Sequence, residues 1–203
     1  MIASESTGLR APHHFWRTWL SWVAASTAAI VLGSLLLYGM VFAAKAVAPG
    51  VNEDRWLGWA IFLVLGTMLG AAQWLLLRRR LRRAGWWIPA TAGGWIVVIA
   101  AGDLLTRVGI APGSESATTG VVLLSTLAAG VSLGFLQLPI LYRRIRWPFL
   151  WILASAIGWL TLGLALGKSI DRTPDILALG AIPAAFTGLA LAWLWVDSAP
   201  SSN

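Results

Sequence analysis

Six apolar stretches, each long enough to cross a bilayer, alternate along this chain with short polar breaks. A spanning helix needs about 20 mostly apolar residues to cross a hydrocarbon core about 30 Å thick. Stretches at 19–44, 56–77, 86–105, 121–142, 147–167 and 176–196 meet that requirement. Three of the breaks mix charge with turn formers: Ala-Pro-Gly-Val-Asn-Glu-Asp-Arg from Ala48, Ala-Pro-Gly-Ser-Glu-Ser from Ala111, and Lys-Ser-Ile-Asp-Arg-Thr-Pro-Asp from Lys168. The other two are short and basic, one with Arg78, Arg79, Arg80, Arg82 and Arg83, the other with Arg143, Arg144 and Arg146. The apolar runs are continuous, whereas barrel strands would alternate lumen-facing polar with lipid-facing apolar residues. The pattern predicts an all-α polytopic bundle of six transmembrane helices. Residues 1–18 form a polar, interfacial N-terminal segment, 19–196 one transmembrane domain and 197–203 a short tail.

Composition narrows the classes further. Of the 203 residues 58% are hydrophobic and 11% charged, against roughly 45–50% and about 25% in soluble domains. So few charges cannot cover a water-facing surface, which excludes a soluble enzyme and a disordered chain. Cysteine is absent, so disulfides, thiolate nucleophiles and cysteine-ligated metals are excluded as well.

Charge orients the chain. Short loops rich in Lys and Arg stay on the cytoplasmic side. Placing both arginine turns there also places both termini there. That side then holds ten of the fifteen Lys and Arg, opposed only by Glu5 and Asp197. The outer loops hold Lys45, Arg55, Arg107, Lys168 and Arg172 against six acids. The net charge of +7 is explained by this asymmetry without a nucleic-acid partner. The arginines are expected to anchor anionic lipid, at roughly 1 kcal/mol each. The polar stretch 1–17 followed by a long apolar run does not match a cleaved signal, which has a short apolar core and a small-residue cleavage site. Trp and Tyr favour the headgroup level. Trp16, Trp19, Trp22, Trp74, Trp86, Trp87, Trp147, Trp151, Trp193 and Trp195 fall near the expected cytoplasmic ends, and Trp56 and Trp59 near an outer end.

Sliding the chain against itself reveals a repeat of 64 residues, spanning about 56–105 and 120–167. Gly66 falls on Gly130, Gly70 on Gly134, Gln73 on Gln137, Leu77 on Leu141, and the arginines at 79, 80 and 82 on those at 143, 144 and 146. In the next helix Trp87 falls on Trp151, Ile88 on Ile152, Ala90 on Ala154, Gly94 on Gly158 and Trp95 on Trp159. Each unit is a two-span hairpin, so both copies insert the same way and the repeat is parallel. Gly66, Gly70, Gln73 and Leu77 share one helical face. Small residues four apart let helices approach closely in lipid, so Gly66, Gly70, Gly94, Gly130, Gly134 and Gly158 are the expected packing positions. The expected arrangement packs the two hairpins face to face about a pseudo-two-fold axis. The sixth helix, with Gly180, Ala184 and Gly188, resembles a truncated third copy; the first matches nothing clearly and reads as an addition.

The motif Gly-x-x-x-Gly-x-x-Gln-Trp-Leu-Leu-Leu-Arg, followed by Arg-Ala-Gly-Trp-Trp-Ile-x-Ala-x-x-x-Gly-Trp, resembles the hairpin of uncharacterised multi-pass membrane proteins of cyanobacteria and related bacteria. The likeness covers 66–95 well and 130–159 in part, where Leu138 and Pro139 follow Gln137. It implies a bacterial integral membrane protein and brings no activity with it; the expected location is the bacterial inner membrane, with both termini cytoplasmic.

The candidate chemistry is sparse. Gln73 and Gln137 place one amide per repeat on the small-residue face. There they bond across helices, to backbone or to each other, or line a pocket for a polar head group, a pigment or a quinone. Trp95 and Trp159 are mid-span, where an indole packs over glycine or offers a face to a flat conjugated ligand such as a carotenoid or chlorin. Pro139 and Pro183 interrupt spans, and Asp103 and Arg107 are spaced to pair at an outer end. The only histidines, His13 and His14, precede the first span, so no metal or haem site can be built from intramembrane imidazole. No catalytic constellation, required cofactor or phosphate loop is found. The expected function is therefore non-catalytic: an accessory or scaffold subunit of a larger membrane complex, in contact with lipids or pigments. The alternative is a small-solute transporter or channel with its site between the repeats near Gln73 and Gln137.

Overall fold

The computed structural model describes residues 11–47, 54–107, 115–142, 147–166 and 173–196. Among them are six α-helices: α1 (Ala11–Val47), α2 (Asp54–Leu77), α3 (Trp87–Arg107), α4 (Glu115–Leu141), α5 (Pro148–Leu166) and α6 (Thr173–Val196). All six carry a segment long and apolar enough to cross a membrane, so the chain is a polytopic helical membrane bundle. Helix α1 starts eight residues before the expected span, and its apolar segment Phe15–Ala46 is the longest of the six. Arg143, Arg144 and Arg146, the loop cluster of Lys168, Asp171 and Arg172, and both terminal segments 1–10 and 197–203 lie outside the described residues.

Local chemistry sets the helix ends. Pro148 opens α5 at the first helical position, where its missing N–H costs nothing. After α2 the chain turns through Arg78–Arg83, with Leu81 N–H donating to Leu77 O at 2.9 Å and Ala84 N–H to Leu81 O at 3.3 Å. A 3-10 turn at Ala84–Trp86 then leads into α3. Leu81 and Ala84 are buried and pin the turn beneath the bundle, while Arg82 and Arg83 face outward.

The six helices close into a ring: each packs on its neighbours in sequence, and α6 packs on α1. This corrects the expected face-to-face pair of hairpins, and α1 is no peripheral addition. The tightest contacts join α2 to α3, α4 to α5 and α6 to α1. In each tight pair a glycine brings backbones together. A Cβ on Gly66 would lie 2.9 Å from the Ala92 Cα, one on Gly130 2.8 Å from the Ala156 Cα, and one on Gly180 2.7 Å from the Thr27 Cα. Gly70 and Gly134 do the same against Ile88 and Ile152, at 2.9 Å and 2.7 Å. Gly94 and Gly158 serve the seams between pairs, against Leu133 and Pro183.

The interior has two apolar layers. One, at the arginine end, gathers Trp22, Leu77, Trp87, Leu141, Trp151 and Leu191; the other gathers Ile30, Leu65, Trp95, Ala129, Trp159 and Leu162. Large apolar side chains also cover the outside, among them Leu35, Phe42, Leu104, Phe135 and Leu164. Hydrocarbon is the solvent that suits such a surface.

Overpacking a close contact costs about 1–3 kcal/mol. Gly70→Leu and Gly134→Leu are therefore expected to lower the melting temperature in detergent, and their alanine variants to do so less. Gly39→Ala, with open space where the methyl would go, should melt at or above the parent. Equal melting of all five variants and the parent would show that the glycines do not set the helix spacing.

Candidate functional site

Between the two apolar layers lies a polar one, assembled from neutral side chains. On α2, Gln73 is buried. Its Oε1 accepts the indole N–H of Trp87 on α3 at 2.8 Å, and its Nε2 donates to the Ser26 hydroxyl on α1 at 3.1 Å. On α4, Gln137 repeats the arrangement one pair further round the ring. Its Oε1 accepts the Trp151 N–H of α5 at 3.0 Å, and its Nε2 donates to the Thr91 hydroxyl on α3 at 2.9 Å. Each amide therefore ties three helices together: its own, its hairpin partner, and the preceding helix of the ring.

The third tight pair makes a shorter version. Trp22 on α1 donates its indole N–H to the Thr187 hydroxyl on α6 at 3.1 Å, and Thr187 donates to Pro183 O at 2.8 Å. Thr187 thus stands where Gln73 and Gln137 stand. Trp19 adds a bond to the Ala185 carbonyl of α6 at 2.9 Å.

Trp22, Trp87 and Trp151 meet one another with ring centroids 5.5–6.1 Å apart, all edge to face. All three are completely buried. This corrects their reading as headgroup-level residues. They point inward, because an indole whose N–H is taken by a buried side-chain oxygen loses nothing by leaving the interface. Among the described residues the exposed aromatics at that end are Trp16, Trp86, Tyr142, Trp147, Phe149 and Trp193.

The structure also shows what the two glutamines do not do. They make no bond to each other; each satisfies a tryptophan of its own hairpin. Trp95 and Trp159 pack edge to face at 5.1 Å, and Trp95 also meets Phe62 at 5.6 Å. Both are buried, with Trp95 lying on Gly66, so neither turns a free face to lipid. The Trp95 N–H finds no acceptor.

A cavity of about 30 Å³ sits in the polar layer, lined by Ser26, Gln73, Thr91, Gln137, Ser155 and Thr187 among others. Besides a shallow groove of about 460 Å³ beside Trp86 and Pro89, two further grooves open at the arginine end. One, of about 830 Å³, is bounded by Arg82 and Arg83 against Pro139 and Tyr142. The other, of about 350 Å³, is bounded by Arg78, Arg79 and Arg80 against Thr18 and Ser21. The Arg78 guanidinium stacks 5.3 Å above the Trp74 ring. Far from this end, Asp103 and Arg107 pair at 3.5 Å on an exposed surface. No group of three His, Cys, Asp or Glu stands together among the described residues.

The residues that sequence reading did not single out are Ser26, Thr91, Ser155 and Thr187. Their signal is present: Trp22-Val-x-Ala-Ser26, Trp87-Ile-x-Ala-Thr91 and Trp151-Ile-x-Ala-Ser155 are three versions of one pentapeptide.

An orphaned buried donor or acceptor costs about 1–3 kcal/mol. Gln73→Leu strands the Trp87 N–H and the Ser26 hydroxyl together and should lower the melting temperature in detergent by several degrees. Adding Trp87→Phe to that variant removes one orphan, so the double variant should be less destabilised than the sum of the singles. Strict additivity in that cycle would show that the amide and the indole are not coupled.

No family model matches the chain, and no match is found among curated proteins or solved structures.

Proposed function

We propose that this protein is a non-catalytic accessory or scaffold subunit of a bacterial inner-membrane complex, held with its arginine end and both termini in the cytoplasm. The observation that carries this reading is the closure of the ring interior. Its polar layer is small and neutral, and every buried amide in it is bonded to protein. Above it stands the layer of Trp22, Trp87 and Trp151; below it stands the layer of Trp95 and Trp159. A solute crossing along the axis would have to displace fully buried indoles on both sides. The outside supports the same reading, because the perimeter offers a broad apolar surface to lipid or to other membrane helices.

The arginine end supplies the second contact. Arg78, Arg79, Arg80, Arg82 and Arg83 ring two grooves whose described walls contain no carboxylate. Guanidinium groups beside apolar walls suit the phosphate and upper acyl chains of an anionic lipid.

Two measurements test this. Purification from native membranes in mild detergent should yield constant partner subunits by mass spectrometry, and proteoliposomes of the protein alone should show no solute flux above empty vesicles. Flux that scales with reconstituted protein would replace the scaffold with a transporter. For orientation, the absence of native cysteine makes single-cysteine labelling clean. With an impermeant thiol reagent on intact cells, cysteines at Asn52 and Ser114 should react and one at Arg80 should not. The reverse pattern would invert the topology.

A further inference from the structure

The polar layer is built three times and completed twice. In the first two tight pairs a glutamine accepts an indole N–H and passes its own amide hydrogens to a hydroxyl on the preceding helix. Gln73 reaches Ser26, and Gln137 reaches Thr91. In the third pair Thr187 accepts the Trp22 N–H, but a threonine has no second group to hand on. The hydroxyl that would receive it is Ser155 on α5, which occupies the place of Ser26 and Thr91 and is equally buried. The missing part is a carboxamide NH₂ between α6 and α5.

The cavity of about 30 Å³ is bordered by all six helices, and α6 contributes the largest share of its wall. Its walls include Trp151 and Ser155 from α5 and Leu179, Pro183 and Thr187 from α6, with Trp22 from α1 beside them. Pro183 has no N–H, so the carbonyl four residues earlier, that of Leu179, lacks its helical donor. Thr187 uses its hydrogen on Pro183 O and one lone pair on Trp22, which leaves it one lone pair. Ser155 has a hydroxyl free to rotate as donor or acceptor. Leu179, Thr187 and the adaptable Ser155 hydroxyl therefore line a space larger than the about 10–15 Å³ that a single water requires. None of these groups is charged, so the ligand they suit is neutral and carries both donors and acceptors.

We infer that this chamber is a binding site for one water molecule, which stands in for the carboxamide that the third pair lacks. The water accepts from the Ser155 hydroxyl and donates to the Leu179 carbonyl and the Thr187 oxygen. Three hydrogen bonds is the usual complement of a buried water. It joins α6 to α5 as Gln73 joins α2 to α1 and Gln137 joins α4 to α3, and so closes the polar ring.

The native protein tests this first, in a density map detailed enough to show ordered water elsewhere in the bundle. A single peak within hydrogen-bond distance of Ser155, Thr187 and the Leu179 carbonyl is expected. A featureless chamber, or density too large for one oxygen, would overturn the inference. Thr187→Gln then supplies the missing amide. It should accept the Trp22 N–H, reach Ser155, expel the peak, and raise the melting temperature by about 2–4 °C, the shift usual for one net hydrogen bond in a chain of this size. A peak that persists beside the new glutamine, or melting at or below the parent by a folded variant, would show that the water does not occupy the place of the amide.

Discussion

A buried indole N–H is costly to leave without an acceptor, and in the interior of a membrane bundle no bulk water is at hand to provide one; Trp22, Trp87 and Trp151 each find a side-chain oxygen, whereas Trp95 does not. That constraint organises this structure. Trp87 and Trp151 stand at the centre of the ring because Gln73 and Gln137 accept their N–H groups at 2.8 and 3.0 Å. The amides can reach because the helices are close, and the helices are close because Gly70 and Gly134 stand one turn away, where a Cβ would strike Ile88 and Ile152. Glycine, glutamine and tryptophan are thus parts of one device. A hairpin with the glycines but without the amide would have backbones in contact and an unsatisfied indole between them.

The other end of each amide turns hairpins into a ring. Interhelical hydrogen bonds in membranes average only about 0.6 kcal/mol, so the donations to Ser26 and Thr91 are weak as glue. Their effect is on register. A helix sliding by one residue would carry the serine or threonine a quarter-turn away and strand two polar groups at once, in a medium where orphans are costly. Packing alone would tolerate such a slip better, since one aliphatic side chain in lipid resembles another. The polar layer therefore sets which of many similar apolar packings is adopted.

The place of each span along the chain was legible in the sequence, whereas the radial direction of its residues was not. Hydropathy is a local property, and the six spans fall within a few residues of their expected places. Trp86 and Trp87 show the limit. They are adjacent and equally near the arginine turn, yet Trp86 is 66% exposed and Trp87 fully buried. Only a neighbouring helix with a glutamine at the right height decides between them. The role of α1 was hidden for a different reason. Its partner α6 lies at the opposite end of the chain, so no single offset aligns the pair with the hairpin repeat, and Thr187 in place of glutamine removes the rarest matching residue. The pentapeptide beginning at Trp22 carried the signal, spaced 65 residues from Trp87 where the other copies are spaced by 64.

Closing the ring has a consequence for what the surface can do. Its two glutamines bond inward, and the five buried indoles of Trp22, Trp87, Trp95, Trp151 and Trp159 are committed to one another. The perimeter and one end carry different chemistry: an apolar girdle, exposed Trp16, Trp86, Trp147 and Trp193, and the arginines of the 78–83 turn. These groups suit lipid tails, the headgroup boundary and anionic phosphate respectively. Rigid helices displaying such a surface hold a fixed shape against a partner helix without reorganising, so little conformational entropy opposes association. The interior is thus occupied in fixing its own register, and the exterior is suited to being packed against, which is the observation behind the proposed scaffold role.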